Sequence, residues 1–185
     1  MSTMTKALLI IDYTNDFVAT KGALTVGEPA QKIADPIVTL ATQFISNESF
    51  VFLPTDVHTP GDPYHPETKL FPPHNVRGTW GRELYGPLAQ WYLDNNERGN
   101  VALFDKTRYS SFAGTPLDIW LRERDVTEVH LVGVCTDICL LHTAVDAYNL
   151  NYSIVVHQKA TATFKPGGQK WALDHFKTVL NAKIV

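Results

Sequence analysis

Residues 131–142, with the sequence LVGVCTDICLLH, join an apolar strand to a helix through a turn of small residues. The β-branched run at 129–134 is typical of a strand, and the pattern that continues to residue 149 is typical of a helix. Such a junction places the first helical N–H groups at the carboxyl edge of a sheet. Cys139 falls in the first helical turn, where we expect the helix dipole to favour the thiolate that a nucleophile requires.

The two cysteines of the chain, Cys135 and Cys139, both lie in this segment. Free cysteine is among the residue types most often buried, and simple burial is our interpretation of Cys135. For Cys139 the reactive groups described below favour a nucleophile instead. Two cysteines four residues apart on one turn are not a disulfide framework, which is typical of a reducing compartment.

Length and composition predict one globular domain over residues 1–185, because the chain can bury a sizeable core and 44% of its residues are hydrophobic. The net charge of −3 gives no indication of nucleic-acid or membrane binding. The first apolar run is too short for a signal peptide or a membrane span, so we expect a cytoplasmic protein.

Apolar strands alternate with helical patterns along the whole chain. Strands are predicted at residues 7–11, 50–53, 101–104, 128–134 and 153–157, with a short sixth at 182–185. Helices are predicted at residues 28–47, 87–93, 116–124 and 168–180, and a further helix runs from the turn after residue 134 to residue 149. The helix at 116–124 has Thr115 as its N-cap and Pro116 at its first position. Residues 13–27 and 57–86 read as loops, and a loop as long as the second is usually functional. This order predicts an α/β fold with a mostly parallel six-stranded sheet and helices on both faces.

Three reactive side chains follow three of these strands. Asp12, Lys106 and Cys139 each lie at or just past a carboxyl end, and in a parallel sheet those ends share one edge. A thiolate can attack, a cation can stabilise it, and a carboxylate can move protons. Taken singly, each residue has an ordinary alternative as a helix cap or a solvated charge, but together they indicate an active site.

The long loop carries a second group of polar side chains, which begins with an Asp-x-His pair at a strand end. Its members are Asp56, His58, Asp62, His65, Glu67 and His74. Imidazoles and carboxylates without a thiolate suit a divalent metal such as Zn, Mn or Fe. The alternative is a polar loop of caps and turns, since Asp, Pro and Gly are turn formers.

With these residues in view, the sequence resembles the nicotinamidases of the isochorismatase-like cysteine hydrolase superfamily over nearly its whole length. Five segments carry the resemblance, at residues 10–17, 56–67, 70–74, 106–112 and 132–139. The resemblance implies Cys139 as nucleophile, Asp12 as general acid/base and Lys106 as the cation that holds the thiolate and orients Asp12. It also implies an oxyanion hole from the backbone N–H groups of Cys135 and Cys139, and a cis peptide bond between Val134 and Cys135.

The resemblance further implies one divalent metal ion, zinc first, with manganese or iron as alternatives. Its ligands would be Asp56, His58, Glu67 and His74, as in the branch that has Glu in place of a third His, and His65 stays a competing ligand. In that family the metal positions the pyridine nitrogen of the substrate. Aromatic walls for the ring would come from Phe17, Phe71 and Tyr109, for which ordinary packing is the alternative.

The activity implied is hydrolysis of nicotinamide to nicotinate and ammonia for NAD synthesis, with pyrazinamide as an analogue. Three alternatives stay open: a metal-free cysteine amidase that acts on carbamoyl or ureido substrates, a true isochorismatase, and a catalytically idle metabolite-binding module. The small-molecule substrate is the expected partner. A homo-oligomer is left open, because no segment identifies an interface.

Overall fold

Six parallel strands form one sheet in the computed structural model, which describes residues 5–185. The strands are β1 (Thr5–Ile11), β2 (Phe50–Asp56), β3 (Val101–Lys106), β4 (Val126–Val134), β5 (Ser153–Ala162) and β6 (Lys183–Ile184). They lie in the order β3-β2-β1-β4-β5-β6, and every neighbouring pair is parallel. The predicted α/β fold with a parallel sheet is therefore confirmed.

Within residues 5–185, seven α-helices cover both faces of this sheet. They are α1 (Asn15–Val18), α2 (Glu28–Gln31), α3 (Ala34–Ser46), α4 (Pro87–Asn95), α5 (Leu117–Glu123), α6 (Leu141–Asn149) and α7 (Gly168–Thr178). Alternate residues of β1 enter two separate cores, with Leu8 beside α2, α3 and α4 and Leu9 beside α5, α6 and α7. This is why its apolar run is continuous: the strand is buried on both sides. From Thr5 onward, every helix falls short of the length and hydrophobicity of a membrane span.

The single helix predicted over residues 28–47 is wrong, since the structure has two helices separated at Lys32 and Ile33. Pro36 explains the break, because proline has no N–H to donate to the carbonyl four residues earlier and is tolerated only in a first turn. The loop at 13–27 contains the short helix α1, and β5 is five residues longer than predicted. Helix α5 begins at Leu117, whose N–H donates to Oγ1 of Thr115 at 3.3 Å, one residue later than predicted.

The junction between β4 and α6 is a wide, π-helical turn over Thr136–Leu140 rather than a regular first helical turn. The N–H of Leu140 donates to the carbonyl of Cys135, five residues back, at 3.2 Å. The peptide bond between Val134 and Cys135 is cis, as the resemblance implied. Gly133, with φ of 110°, precedes it, and a Cβ there would lie 2.1 Å from the carbonyl oxygen of Ile11. Only glycine lets β4 approach β1 so closely at this point.

Candidate active site

The structure brings Asp12, Lys106 and Cys139 together at the carboxyl edge of the sheet. Asp12 follows β1, Lys106 ends β3, and Cys139 lies in the turn after β4. The Nζ atom of Lys106 lies 2.8 Å from Oδ2 of Asp12 and 3.8 Å from Sγ of Cys139. Nζ also donates to the carbonyl of Arg108 at 2.9 Å. All three catalytic candidates are buried, with 7% or less of each exposed.

Backbone contacts on both sides fix the carboxylate of Asp12. Its φ is 55°, its N–H donates to the carbonyl of Pro54 at 3.1 Å, and its Oδ1 accepts from the N–H of Asp56 at 2.8 Å. Burial raises the pKa of Asp12 to about 6, although the charge of Lys106 acts in the opposite direction. Such a group is ionised at neutral pH and can still take up a proton during a reaction, which suits a general acid/base.

The state of Cys139 differs from the prediction. Burial raises the pKa of its thiol well above the usual value, and this outweighs the attraction of Lys106. The expectation that the helix start favours the thiolate is therefore wrong for the free site, because desolvation dominates. The neighbouring carboxylate of Asp12 also raises the pKa of this thiol. The arrangement thus holds a neutral thiol beside a base, with a cation close enough to stabilise the thiolate once it forms.

The turn that carries Cys139 also presents backbone donors. Within residues 5–185, the N–H groups of Cys135 and Cys139 donate no hydrogen bond to a residue outside the turn. Free N–H groups at the start of a helix are available to a developing negative charge. The side chain of Cys135 is buried, and burial raises its pKa to about 12. Its thiol is therefore protonated at neutral pH.

The second predicted group is also assembled, on β2 and the loop that follows it. Oδ2 of Asp56 lies 3.0 Å from Nε2 of His58 and 3.6 Å from Nε2 of His74, which is 3.5 Å from Oε2 of Glu67. The ligand atoms of Asp56, His58 and His74 lie within 4.8 Å of one another. Despite its burial, hydrogen bonds from His58 and Asn75 help hold the pKa of Asp56 at about 2, so it is ionised.

Unsatisfied atoms in this group point to a metal ion. Within residues 5–185, Nε2 of His74 and Oδ1 of Asp56 are buried without a hydrogen-bond partner. Nδ1 of His74 lies 2.8 Å from the carbonyl of Pro72, to which it can only donate, so Nε2 keeps a free lone pair in the neutral ring. Buried polar atoms are normally paired, and a cation would satisfy both.

His65 has a different environment from the other candidates. Its Nδ1 accepts from the N–H of Glu67 at 3.2 Å, and its Nε2 lies 2.8 Å from the carbonyl of Thr107. Both ring nitrogens are therefore engaged by the backbone, and the side chain holds the turn of Glu67 against the segment after Lys106. Ligand atoms of His58, His65 and Glu67 also lie within 4.8 Å of one another, but the engaged ring nitrogens of His65 favour the set of Asp56, His58, Glu67 and His74. Asp62, the last of the six polar residues predicted in this loop, stabilises a local turn, since its Oδ1 accepts from the N–H of Tyr64 at 2.9 Å.

An apolar cavity connects the two groups. The predicted aromatic residues Phe17, Phe71 and Tyr109 line it, together with Glu67 and Cys139. Sequence reasoning missed three further lining residues, Leu24, Ile138 and Phe164. Leu24 comes from the first loop and Phe164 from the segment after β5, and neither has a signal in the sequence beyond its apolar side chain. The cavity lies between the thiol and the carboxylate–imidazole cluster, and its walls are mostly apolar.

Asn75 is a further functional residue that sequence reasoning missed. It is fully buried, its Nδ2 donates to Oδ2 of Asp56 at 3.2 Å, and its Oδ1 accepts from Thr14 at 2.8 Å. Its carbonyl accepts from the N–H of His58 at 3.0 Å, and its N–H donates to Asp16 at 2.8 Å. Asn75 thus orients two ligand candidates. Its position directly after His74 was the available signal.

Comparison with known families decides the affiliation of this chain. The family model for the isochorismatase domain matches residues 6–184, nearly the whole sequence. The chain belongs to the isochorismatase family. This agrees with the resemblance that the five sequence segments indicated.

Three relatives of this isochorismatase family member carry the name nicotinamidase or pyrazinamidase. The crystal structure of nicotinamidase/pyrazinamidase PncA from Bacillus subtilis is 55% identical, covers 98% of this chain and 100% of its own, and superposes with a TM-score of 0.97. Nicotinamidase/pyrazinamidase from Mycobacterium tuberculosis is 31% identical over 94% of this chain and 95% of its own length. Pyrazinamidase of Pyrococcus horikoshii, solved in complex with zinc, is 26% identical over 97% of this chain and 98% of its own, with a TM-score of 0.83.

Proposed function

We propose that this protein is a nicotinamidase, which hydrolyses nicotinamide to nicotinate and ammonia through a thioester on Cys139. One observation carries the proposal: a buried Asp–Lys–Cys group opens on the same apolar cavity as a carboxylate–imidazole cluster with unpaired atoms. The names of the relatives from Bacillus subtilis and Mycobacterium tuberculosis support the same reaction. Pyrazinamide, which has the same amide on a similar ring, is the expected second substrate.

In the first half of the reaction, Asp12 removes the proton from the Cys139 thiol, and the sulfur attacks the carboxamide carbon. The cation of Lys106, 3.8 Å from Sγ, stabilises the thiolate as it forms. The oxygen of the tetrahedral intermediate accepts hydrogen bonds from the N–H groups of Cys135 and Cys139. Asp12 then protonates the nitrogen, the C–N bond breaks, and ammonia leaves a thioester behind.

In the second half, water attacks the thioester carbon while Asp12 takes one of its protons. The C–S bond breaks, nicotinic acid leaves and ionises to nicotinate in water, and Asp12 returns its proton to the sulfur. One carboxylate serves as acid and base in turn, which its pKa of about 6 suits. The proton transfers of both half-reactions therefore need no second carboxylate.

We infer a divalent metal site formed by Asp56, His58, Glu67 and His74, most simply for zinc. The free lone pair of His74, the unpaired Oδ1 of Asp56 and the mixed N/O donor set support it. A cation bound there supplies a Lewis-acid contact for a ring nitrogen and so orients the substrate. Hydrogen bonds from Asn75 to Asp56 and from Nδ1 of His74 to the carbonyl of Pro72 would set the orientation of these ligands.

The chain's own apolar residues do the rest of the substrate binding. Phe17, Phe71 and Tyr109 would contact the apolar faces of the ring. The free thiols of both cysteines suit the cytoplasmic location that we propose.

The test is ammonia release from nicotinamide by the purified protein, measured as isolated, after chelation, and after re-addition of Zn, Mn or Fe. We expect release that falls with the chelator and returns with at least one metal, and no release from the Cys139→Ala variant. Metal content is measured in parallel by elemental analysis.

Absence of release under every metal would overturn the nicotinamidase, and carbamoyl and ureido substrates would be tried next. Release that ignores the chelator in a protein shown to be metal-free would keep the cysteine amidase and remove the metal site. The two parts of the proposal are therefore tested separately.

A further inference from the structure

A side chain of α7 that does not line the cavity forms a hydrogen bond with the turn that carries Cys139. Oγ1 of Thr136, a fully buried residue of the turn, donates to Oε1 of Gln169 at 2.6 Å. Nε2 of Gln169 donates to both the carbonyl and Oγ1 of Thr161 in β5, at 3.3 and 3.0 Å. The Thr161 carbonyl can only accept, so it fixes which end of the Gln169 amide faces Thr136.

A second contact joins the same turn to the same helix. Oδ1 of Asp137 accepts from Oγ1 of Thr163 at 2.5 Å. Gly168, the first residue of α7, lies so close that a Cβ there would be 2.4 Å from Oδ2 of Asp137. Successive residues of the turn are therefore attached to α7 and the end of β5. Thr136 is the residue directly after Cys135, so its anchor bears on the backbone of the turn, whose residues Cys135 and Cys139 line the cavity.

We propose that Gln169 is a positioning residue for the oxyanion hole: through Thr136 it fixes the direction of the backbone N–H groups of Cys135 and Cys139. The inference rests on the proposed acyl transfer at Cys139. Oxyanion donors act through their preset direction, so a shift of the turn lowers the rate of amide cleavage more than it changes substrate binding.

The network has the properties that such a role needs. Both atoms of the Gln169 amide are engaged, and both partner residues, Thr136 and Thr161, are buried. A fully paired buried network is rigid, and the loss of one member leaves its partner without a hydrogen bond. Gln169 does not line the cavity, so substrate contacts do not explain its place.

The experiment compares Gln169→Met, Thr136→Val and the double variant with wild type, and adds Thr136→Ser, which keeps the hydroxyl group. Each single loss should reduce kcat for nicotinamide by about 10- to 100-fold, with KM within about twofold. The double variant should be no slower than the worse single variant, because both remove one contact. Thr136→Ser should recover most of the loss seen with Val.

Alkylation of Cys139 by iodoacetamide separates positioning from general damage. This displacement forms no tetrahedral oxyanion, so its rate should stay within about twofold of wild type in every variant. Tyr152→Phe is the matched control, since it removes the hydroxyl of a buried side chain that donates to Asp118 at 2.7 Å and lies at the amino end of β5, the opposite end of that strand from the active site. It should lower stability and leave kcat unchanged.

Acetylation of Cys139 by p-nitrophenyl acetate, followed by p-nitrophenolate release, keeps the test independent of the natural substrate. The Cys139 sulfur bonds to the acyl carbon, Asp12 takes the thiol proton, and p-nitrophenolate leaves. The same loss with this ester supports the role of Gln169 even if wild type releases no ammonia from nicotinamide. Unchanged kcat and acetylation, a change in KM alone, or an equal loss in alkylation would each overturn it.

Discussion

Asp12 and Lys106 form an ion pair at 2.8 Å with almost no exposure to solvent, although their strands are not neighbours. Asp12 follows β1 and Lys106 ends β3, with β2 between them, so the lysine side chain spans the end of the intervening strand. Burial alone would lower the pKa of Lys106, but the charge of Asp12 raises it above its usual value. The cation is thereby kept charged where water cannot screen it.

Loss of that cation should affect activity and stability in different ways. In Lys106→Met the pKa of Asp12 rises above about 6, because the attraction that opposes burial is gone. We expect kcat to fall by at least about 10³-fold and the free energy of unfolding to fall by up to about 3–5 kcal/mol. Adding Asp12→Asn should restore part of the stability in urea unfolding and none of the activity. A double variant less stable than Lys106→Met would contradict the ion-pair account.

The two cysteines should behave oppositely on substitution. Cys139→Ala should reduce ammonia release by at least about 10⁴-fold while the fold, checked by circular dichroism, is unchanged. Cys135→Ala should keep most activity, because only its backbone N–H faces the oxyanion. An inactive Cys135→Ala with an active Cys139→Ala would reverse the assignment.

The rate should depend on pH through Asp12. The carboxylate accepts the thiol proton, so kcat/KM should fall as pH decreases through the pKa of Asp12, which is about 6. A cation bound at Asp56, whose N–H contacts Asp12, would move this limb to lower pH. The stability contribution of Asp12 has the opposite sign: its pKa is raised above the unfolded value, so the fold favours the protonated form. Rates measured from pH 4.5 to 8 with a stability control at each pH test this, and a flat acid limb would exclude Asp12 as the base.

Metal content should distinguish the ligand candidates. His74→Ala should lose most of the bound zinc, because it removes a donor with a free lone pair. His65→Gln should keep stoichiometric zinc with about 10- to 100-fold weaker affinity, since its ring is engaged by the backbone at Glu67 and Thr107. Competition with a chromogenic chelator measures both. Complete loss of zinc in His65→Gln would make His65 a ligand.

A histidine pair far from the active site should govern acid stability. Nδ1 of His130 lies 2.8 Å from Nε2 of His157, and burial followed by the proximity of His130 lowers the pKa of His157 to about 4. Below about pH 6.5, His157 is protonated in the unfolded chain and stays neutral in the folded chain. The free energy of unfolding therefore decreases as pH falls from 6.5 towards 4. His157→Gln, which keeps a hydrogen-bonding group, should lose less urea resistance between pH 7 and pH 5. An equal loss would locate the acid sensitivity elsewhere.

The sequence was sufficient for the sheet and for the proximity of Asp12, Lys106 and Cys139. Each apolar run ends at a polar residue, and parallel strands present their ends on one side, so convergence followed from the pattern alone. Pro36 was a visible sign of the break between α2 and α3, but the helical spacing of the apolar residues led to the prediction of one continuous helix.

The protonation state of Cys139 could not be predicted in the same way. The helix start is visible in the sequence, but the complete burial that raises the thiol pKa depends on packing from several elements. The same holds for Leu24, Phe164 and Gln169. They reach the site from loops and a helix distant in the chain, and no local pattern marks them.

The order of the strands has a consequence for how this enzyme could change its substrate. The proton carrier, the cation and the sulfur lie at the ends of the strands β1 and β3 and on the turn after β4. Most of the cavity wall instead comes from connecting segments after β1, β2 and β5, whose lengths the sheet does not constrain. Substrate specificity and catalysis can therefore evolve independently. Insertions or substitutions in those segments can change which amide is bound, while the residues that break the bond keep their positions.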